Sequence, residues 1–297
     1  MISRLVVIGV GLIGGSAALA LRRAHRVGEV IGVGRSPDNL KLARDRGIID
    51  RATSDYADAC AGADVVLVAT PVAQFERIFA AITPHLGRET IVTDAGSTKQ
   101  DVVAAARRAF GHRFGRFVPA HPIAGTEHSG AAAAFPELFE RRNVVVTPEA
   151  ETDAVALIKV RMLWEATGAQ VMTMTAERHD AIFAAVSHLP HLLAFALVEE
   201  LARRPDSGEY FELAASGFRD FTRIAGSSPE MWRDIALANR DALLEEIHRF
   251  RAQIERVERL VAAGDGAQLG ALFATAQAAR NTWTSGRGSA TVAHDGD

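Results

Sequence analysis

The sequence predicts an α/β unit built on a doubly wound parallel sheet, followed by an all-α unit. Three observations predict it. Short β-branched runs alternate with helix-like stretches as far as Thr173. A glycine-rich turn joins the first run to the first helix. From Ala176 onward only helical periodicity remains.

The first run, residues 4–8, reads as a buried strand. Gly9-Val-Gly-Leu-Ile-Gly14 follows, then an Ala- and Leu-rich helix over 16–24. Strand, GxGxxG turn and helix together define a Rossmann-type dinucleotide-binding start. Gly9 makes the tight turn, Gly11 lets the backbone approach a pyrophosphate, and Gly14 lets the helix pack close. Leu12 and Ile13 lie in the same turn, at the helix start whose N–H groups suit phosphate. Residues 27–33 form the second strand, ending in Gly34-Arg35-Ser36. NAD-selective sites carry an acidic residue about there, roughly 20 positions past the motif. With Arg35 and Ser36 in its place, the site leans to NADP or to both cofactors. Arg35 stacked on adenine, or pointing to water, is the plainer alternative.

A helix over 37–46 leads to a buried strand at 63–69, whose turn at Thr70-Pro71 faces the same cofactor. A helix over 74–86 and a strand at 90–93 follow, ending in Asp94-Ala-Gly-Ser-Thr-Lys99. Ser97 there caps the next helix, 98–110, and can also offer its hydroxyl to a site. Residues 116–120 deliver the loop of Ala120-His121-Pro122. Pro119 and Pro122 stiffen it, and a His at the carboxyl end of a parallel strand is placed for acid–base work. Residues 143–147 and 169–173 read as two more strands around a helix at 154–167.

The all-α part comprises helices at 175–202, kinked by Pro190, and at 210–221, 229–236, 240–263 and 267–282. Residues 284–297 are Gly-, Ser- and Asp-rich and read as a disordered tail. The expected division is therefore a dinucleotide-binding domain 1–173, a helical domain 174–283 and the tail. His188 and His191 share a helical face, but no third ligand is spaced to complete a metal site, so none is expected. Arg219 and Arg223, four apart among Phe218, Phe221 and Ile224, suit a two-point grip on a carboxylate, with at least one of them partly buried.

Composition sets the outer bounds. The 297 residues are 48% hydrophobic, enough for one large or two ordinary cores. A net charge of −3 without a basic stripe argues against nucleic acid. The single cysteine, Cys60, cannot form an internal disulfide and fits a reducing compartment. Residues 1–21 carry the charge and apolarity of a signal peptide, but Gly9, Gly11, Gly14 and Gly15 give the run its other meaning. No other segment reads as able to span a bilayer, so a cytoplasmic protein without a membrane partner is expected.

Five strings taken together carry a resemblance: Gly9-x-Gly-x-x-Gly14, Asp94-Ala-Gly-Ser-Thr-Lys99, His121-Pro-Ile-Ala-Gly-Thr-Glu-His-Ser-Gly130, Ser187-His-Leu-Pro-His191 and Phe218-Arg-Asp-Phe-Thr-Arg-Ile-Ala225. In order, they resemble the prephenate/arogenate dehydrogenase (cyclohexadienyl dehydrogenase) family of tyrosine biosynthesis. The resemblance implies oxidative decarboxylation of prephenate to 4-hydroxyphenylpyruvate with NAD or NADP, or of arogenate to tyrosine. It implies His121 as the base for the ring hydroxyl, helped by Ser97. Arg223, with Arg219 less favoured, would hold the ring carboxylate and His191 the side chain. Thr126 and Glu127 would shape or gate the pocket, and a homodimer would form through the helical domain. Two rivals are a 3-hydroxyacid or imine reductase type and a non-enzymatic NAD(P) sensor. The first usually places a catalytic Lys in its helical part, and no Lys follows Lys159.

Overall fold

The structure is a computed structural model that describes residues 1–126 and 128–288. The chain divides into two compact units, Met1–Leu243 and Leu244–Asp297.

The first unit is organised by a six-stranded, wholly parallel sheet in the order β3-β2-β1-β4-β5-β6. Its strands are β1 (Ile2–Ile8), β2 (Val27–Val33), β3 (Arg51–Thr53), β4 (Val65–Val68), β5 (Ile91–Asp94) and β6 (Phe117–Val118). The order reverses between β1 and β4, and the crevice there is where ligands of such sheets bind. Helices α1 (Leu12–Arg23), α2 (Pro37–Asp45), α3 (Tyr56–Cys60), α4 (Phe75–Ile82) and α5 (Gln100–Phe110) connect the strands. β1 shows why its run is apolar throughout. Leu5 and Val7 enter one core with Leu21 and Trp164, while Val6 and Ile8 enter the other with Phe75, Phe79 and Phe117.

A second, three-stranded sheet follows: β7 (Ala120–Pro122), β8 (Asn143–Val146) and β9 (Gln170–Thr173). β7 runs antiparallel to β8, and β8 parallel to β9 across helix α6 (Ala154–Glu165). This corrects two expectations. The stretch 116–120 is two strands in two sheets, broken at Pro119, which has no N–H for a ladder. His121 therefore sits within a strand, opposite Val145, rather than on a loop.

The helical part opens with one continuous helix from Ala176 to Ala202. It consists of α7 (Ala176–Phe183), a π-helical turn (Ala184–His188) and α8 (Leu189–Ala202). Pro190, in the first turn of α8, has no N–H for Val186, and the wider π turn just before it absorbs the mismatch. By length and composition this helix could cross a membrane, contrary to the sequence expectation, with a mean hydropathy of 1.9 in its most apolar window. The core helix of a water-soluble enzyme passes the same test. Here the helix also carries His179, Asp180 and His188, buried and hydrogen-bonded to other elements.

The expected helix at 210–221 is two, α9 (Ser207–Glu212) and α10 (Ser216–Thr222). A 3-10 turn (Arg223–Gly226) and α11 (Pro229–Ala238) follow. Helix α12 (Arg240–Ala262) runs into the second unit, where a turn at Gly264, with φ of 63°, leads to α13 (Gly266–Gly288). α13 continues through the start of the expected tail. There the hydroxyls of Thr284 and Ser285 donate to carbonyls one turn back, Arg280 O and Asn281 O. Residues 289–297 lie outside the described residues.

Candidate active site

Two features define the candidate site. The first is the glycine turn. Gly9 has φ of 96°, and a Cβ there would lie 2.6 Å from the Ala69 carbonyl oxygen. A Cβ on Gly14 would lie 2.4 Å from Gly9 O, so Gly14 sets how closely α1 approaches β1. A Cβ on Gly11 would meet nothing within 4 Å. No side chain caps α1 at Gly11, which leaves the first turn's N–H groups to a ligand. The hydroxyl of Thr70, beside Gly9, is buried without a hydrogen-bond partner among the described residues. An open backbone cradle, an uncapped helix N-terminus and an orphan hydroxyl fit the pyrophosphate end of a dinucleotide. Leu12 is buried and Ile13 half-buried in this turn, and Pro71 is exposed.

At the end of β2, Gly34 is half-buried and Arg35 exposed. The Ser36 hydroxyl accepts the Asn39 N–H at 3.2 Å and so caps α2. Asn39 also ties the turn to the segment after His121. Its amide donates to Val10 O at 2.7 Å, and its oxygen accepts the Ala131 N–H at 2.8 Å.

The second feature is a chain of polar groups ending at His121. His121 Nδ1 lies 2.8 Å from His179 Nε2, and His179 Nδ1 lies 2.8 Å from Asp180 Oδ1. A carboxylate only accepts, so His179 Nδ1 carries the proton that it donates. His179 Nε2 is then an acceptor, and His121 Nδ1–H donates to it. That leaves the lone pair of His121 on Nε2, free to accept a proton from a substrate. Burial pushes His121 well below the usual imidazole range, and the nearby charges of His179, Lys99 and His188 push the same way. Burial lowers His179 as well, while its bond to Asp180 pulls it up. Burial works against the Asp180 carboxylate, but His179 and the N–H groups of Gln100 and Lys99 hold it below its usual value.

Asp180 also corrects the reading of Ser97. Helix α5 begins at Gln100, and no side chain of its own N-cap closes it. Asp180, from α7, accepts the N–H of Lys99 and of Gln100, each at 2.8 Å. Capping thus comes from another element. The Ser97 hydroxyl, half-buried, makes no hydrogen bond among the described residues, which leaves it available to a ligand.

Farther along the long helix, Asn239 donates to Asp180 O at 2.8 Å and to His188 Nδ1 at 3.0 Å. Burial pushes His188 down to about 4. His191 donates from Nδ1 to Ser187 O at 2.9 Å and stacks on Trp232, with ring centroids 3.5 Å apart. Burial lowers His191 too, and the charge of Arg223 adds to that, so Arg223 lies on the His191 side of the helical part. Arg219 and Arg223 are both exposed, contrary to the expectation of partial burial. Of the aromatic residues around them Phe221 is 48% exposed and Phe218 half-buried, and the α-helix gives way to a 3-10 turn between the two arginines. Thr126 is exposed, its hydroxyl accepting the His128 N–H at 3.2 Å. Glu127 lies outside the described residues.

Sequence reasoning missed His179, Asp180, Asn239 and Trp232. For the first two the available signal was the His179-Asp180 pair leading into a long apolar stretch of helix, where unpaired charge is costly.

A dinucleotide cradle, together with an imidazole braced by a second histidine and a carboxylate, fits a dinucleotide-dependent oxidoreductase. Residues 17–173 match the family model described as "Prephenate dehydrogenase, nucleotide-binding domain", and residues 175–275 match "Prephenate dehydrogenase, dimerization domain". The chain belongs to the prephenate dehydrogenase family. It is 37% identical over 276 residues to a prephenate dehydrogenase of Bacillus subtilis (strain 168), covering 92% of this chain and 74% of that one. It is 36% identical over 286 residues to a cyclohexadienyl dehydrogenase of Zymomonas mobilis, covering 93% and 94%. The crystal structure of prephenate dehydrogenase from A. aeolicus in complex with hydroxyphenyl propionate and NAD+ superposes with a TM-score of 0.89 at 36% identity, covering 95% of this chain and 98% of the other.

Proposed function

We propose that this enzyme converts prephenate to 4-hydroxyphenylpyruvate by oxidative decarboxylation. The observation that carries the proposal is the His121–His179–Asp180 chain, which leaves His121 Nε2 unprotonated. A bound nicotinamide would supply the acceptor for the hydride that leaves ring C4. His121 accepts the C4 hydroxyl proton as that charge leaves. Loss of CO2 sends its electron pair into the ring, and the proton returns to the oxygen of the phenol. Ser97 orients the hydroxyl against His121. Arg223 holds the ring carboxylate, with Arg219 second to it, and His191 meets the pyruvyl side chain. Thr126 and Glu127 border the pocket. Gly9, Gly11, Leu12, Ile13, Gly14, Thr70 and Pro71 hold the dinucleotide, with Gly34, Arg35 and Ser36 around the adenosine ribose. The absence of a carboxylate in Gly34-Arg35-Ser36 favours NADP or use of both cofactors. The Ser36 hydroxyl accepts a helix-capping N–H and keeps its own O–H to donate, so Arg35 and Ser36 can both meet a 2′-phosphate.

The dinucleotide-binding part is 1–173, and 174–283 supplies substrate contacts and a homodimer surface. The matched dimerization domain supports that surface, as do exposed Leu197, Phe211, Leu213 and Phe221. The protein is cytoplasmic. Arogenate, with an amino acid side chain in place of the keto acid, is the alternative substrate, consistent with a cyclohexadienyl dehydrogenase among the relatives.

The test is production of reduced nicotinamide from prephenate and from arogenate, each with NAD and with NADP. Reduction with prephenate is expected, and the four rates rank the two substrates and the two cofactors. No reduction in any combination overturns the proposal. Arg223→Ala is expected to raise the KM for prephenate by about tenfold or more with a smaller change in kcat, from loss of a charged two-point grip. An unchanged KM would move that grip to Arg219.

A further inference from the structure

His121 is held through its backbone as well as its ring. β7 is the edge strand of the second sheet. Thr147 N–H donates to Pro119 O and Ile123 N–H to Asn143 O, so this stretch turns its odd-numbered residues toward β8. Ala120 therefore presents its N–H and C=O to the open edge, where no strand follows. Asp94 and Lys99, both fully buried, stand there instead. Asp94 Oδ1 accepts the Ala120 N–H at 3.0 Å, and Lys99 Nζ donates to Ala120 O at 2.8 Å and pairs with Asp94 Oδ2. The ion pair occupies the place of a missing strand, supplying one acceptor and one donor to the residue before His121. Lys99 also reaches His121 by a second route, because its backbone N–H donates to Asp180 Oδ1, which holds His179.

We propose that Lys99, paired with Asp94, is a positioning residue for His121, closing a ring that runs Lys99–Ala120–His121–His179–Asp180 and back to Lys99. This rests on His121 being the proton acceptor proposed above. A buried ion pair is poor evidence of a purely stabilising role, since apolar side chains of similar volume often serve stability as well. Apolar side chains cannot hold both the donor and the acceptor of Ala120. The charges that face His121 are those of His179 from α7, Lys99 from the segment before α5 and His188 from the π turn, with Asp180 and Asp94 behind His179. Among these the Lys99 ammonium favours the neutral imidazole.

The experiment compares wild type with the combined Asp94→Asn/Lys99→Met variant, which removes both charges together, and with Lys99→Gln, which keeps a donor without charge. NMR titration of the His121 ring, dinucleotide affinity, thermal melting and kcat are read in all three. Both variants are expected to melt cooperatively and bind the dinucleotide within about threefold of wild type. The His121 midpoint should rise by about half a pH unit or more. In the combined variant kcat should fall by at least about tenfold, and Lys99→Gln should lose less. A folded combined variant with unchanged midpoint and kcat overturns the proposal. So does failure of both variants to fold, which would make the pair a folding element. A wild type inactive on both prephenate and arogenate sinks the substrate assignment alone, because the His121 midpoint needs no substrate and still decides the role of Lys99.

Discussion

Replacing His121 with Asn is expected to lower kcat by about 10²–10⁴-fold while leaving dinucleotide affinity unchanged. Asn keeps a polar group of similar reach but cannot accept a proton at neutral pH. The glycine turn that serves the cofactor is a separate structure, so binding of NAD or NADP should survive. Near-normal turnover would remove the base from this position. The same residue sets the pH dependence. Burial depresses its pKa, with the Lys99 ammonium and the neighbouring imidazoles opposing a further charge, so His121 stays neutral, and competent as a base, through neutral pH. The acid limb of kcat/KM that it controls should therefore lie below about 6.5, the unperturbed imidazole value. A limb above that value would show the imidazole charged where the geometry requires it neutral. Stability follows the same sign. His121, His179, His188 and His191 all have depressed folded-state values. The unfolded chain thus binds more protons once the pH falls below about 6.5, and the stability these residues lend above that pH is lost progressively as the solution is acidified.

Asp180→Asn is expected to reduce kcat by roughly 10²–10³-fold at neutral pH with little change in KM. Asp180 does not contact the substrate in this scheme; it decides which ring nitrogens carry protons. An Asn amide directed at His179 Nδ1 donates, which forces His179 to carry its proton on Nε2. His179 then donates to His121 Nδ1, and His121 carries its own proton on Nε2, where the base is needed. A second cost arises at α5, because Asp180 also accepts the Lys99 and Gln100 N–H groups that open the helix. An Asn can satisfy at most part of that demand, and a stability loss of about 1 kcal/mol or more for the weakened cap, read as a lower Tm, should accompany the lost rate. Ring-nitrogen NMR separates the two effects. A moved His121 proton with a folded protein supports the tautomer mechanism. Wild-type turnover with the proton still on Nδ1 would reduce Asp180 to a helix cap.

What could be read along the chain was whatever depends on a few neighbouring residues. Gly9, Gly11 and Gly14 were legible from their spacing after a strand; at Gly9 and Gly14 the structure shows the side chain excluded by a tight turn and a close helix approach, whereas Gly11 leaves open space. The parallel sheet was legible from its uniformly apolar strands, which two flanking cores require. His121 stood out from its two prolines. Tertiary structure decided the rest. Pro119 does not merely stiffen a loop; it marks where the chain leaves one sheet for another, because it has a carbonyl for Thr147 but no N–H to donate. Ser97 looked like a cap by its place before α5, but Asp180 arrives from 80 residues beyond Gln100 with a charged acceptor. Arg219 and Arg223 looked buried by their aromatic neighbours, yet that face is uncovered within the chain. His121 meets His179 across 58 residues. Local sterics and periodicity are written into short windows, whereas the direction in which a buried polar group finds its partner is set only when helices and sheets pack.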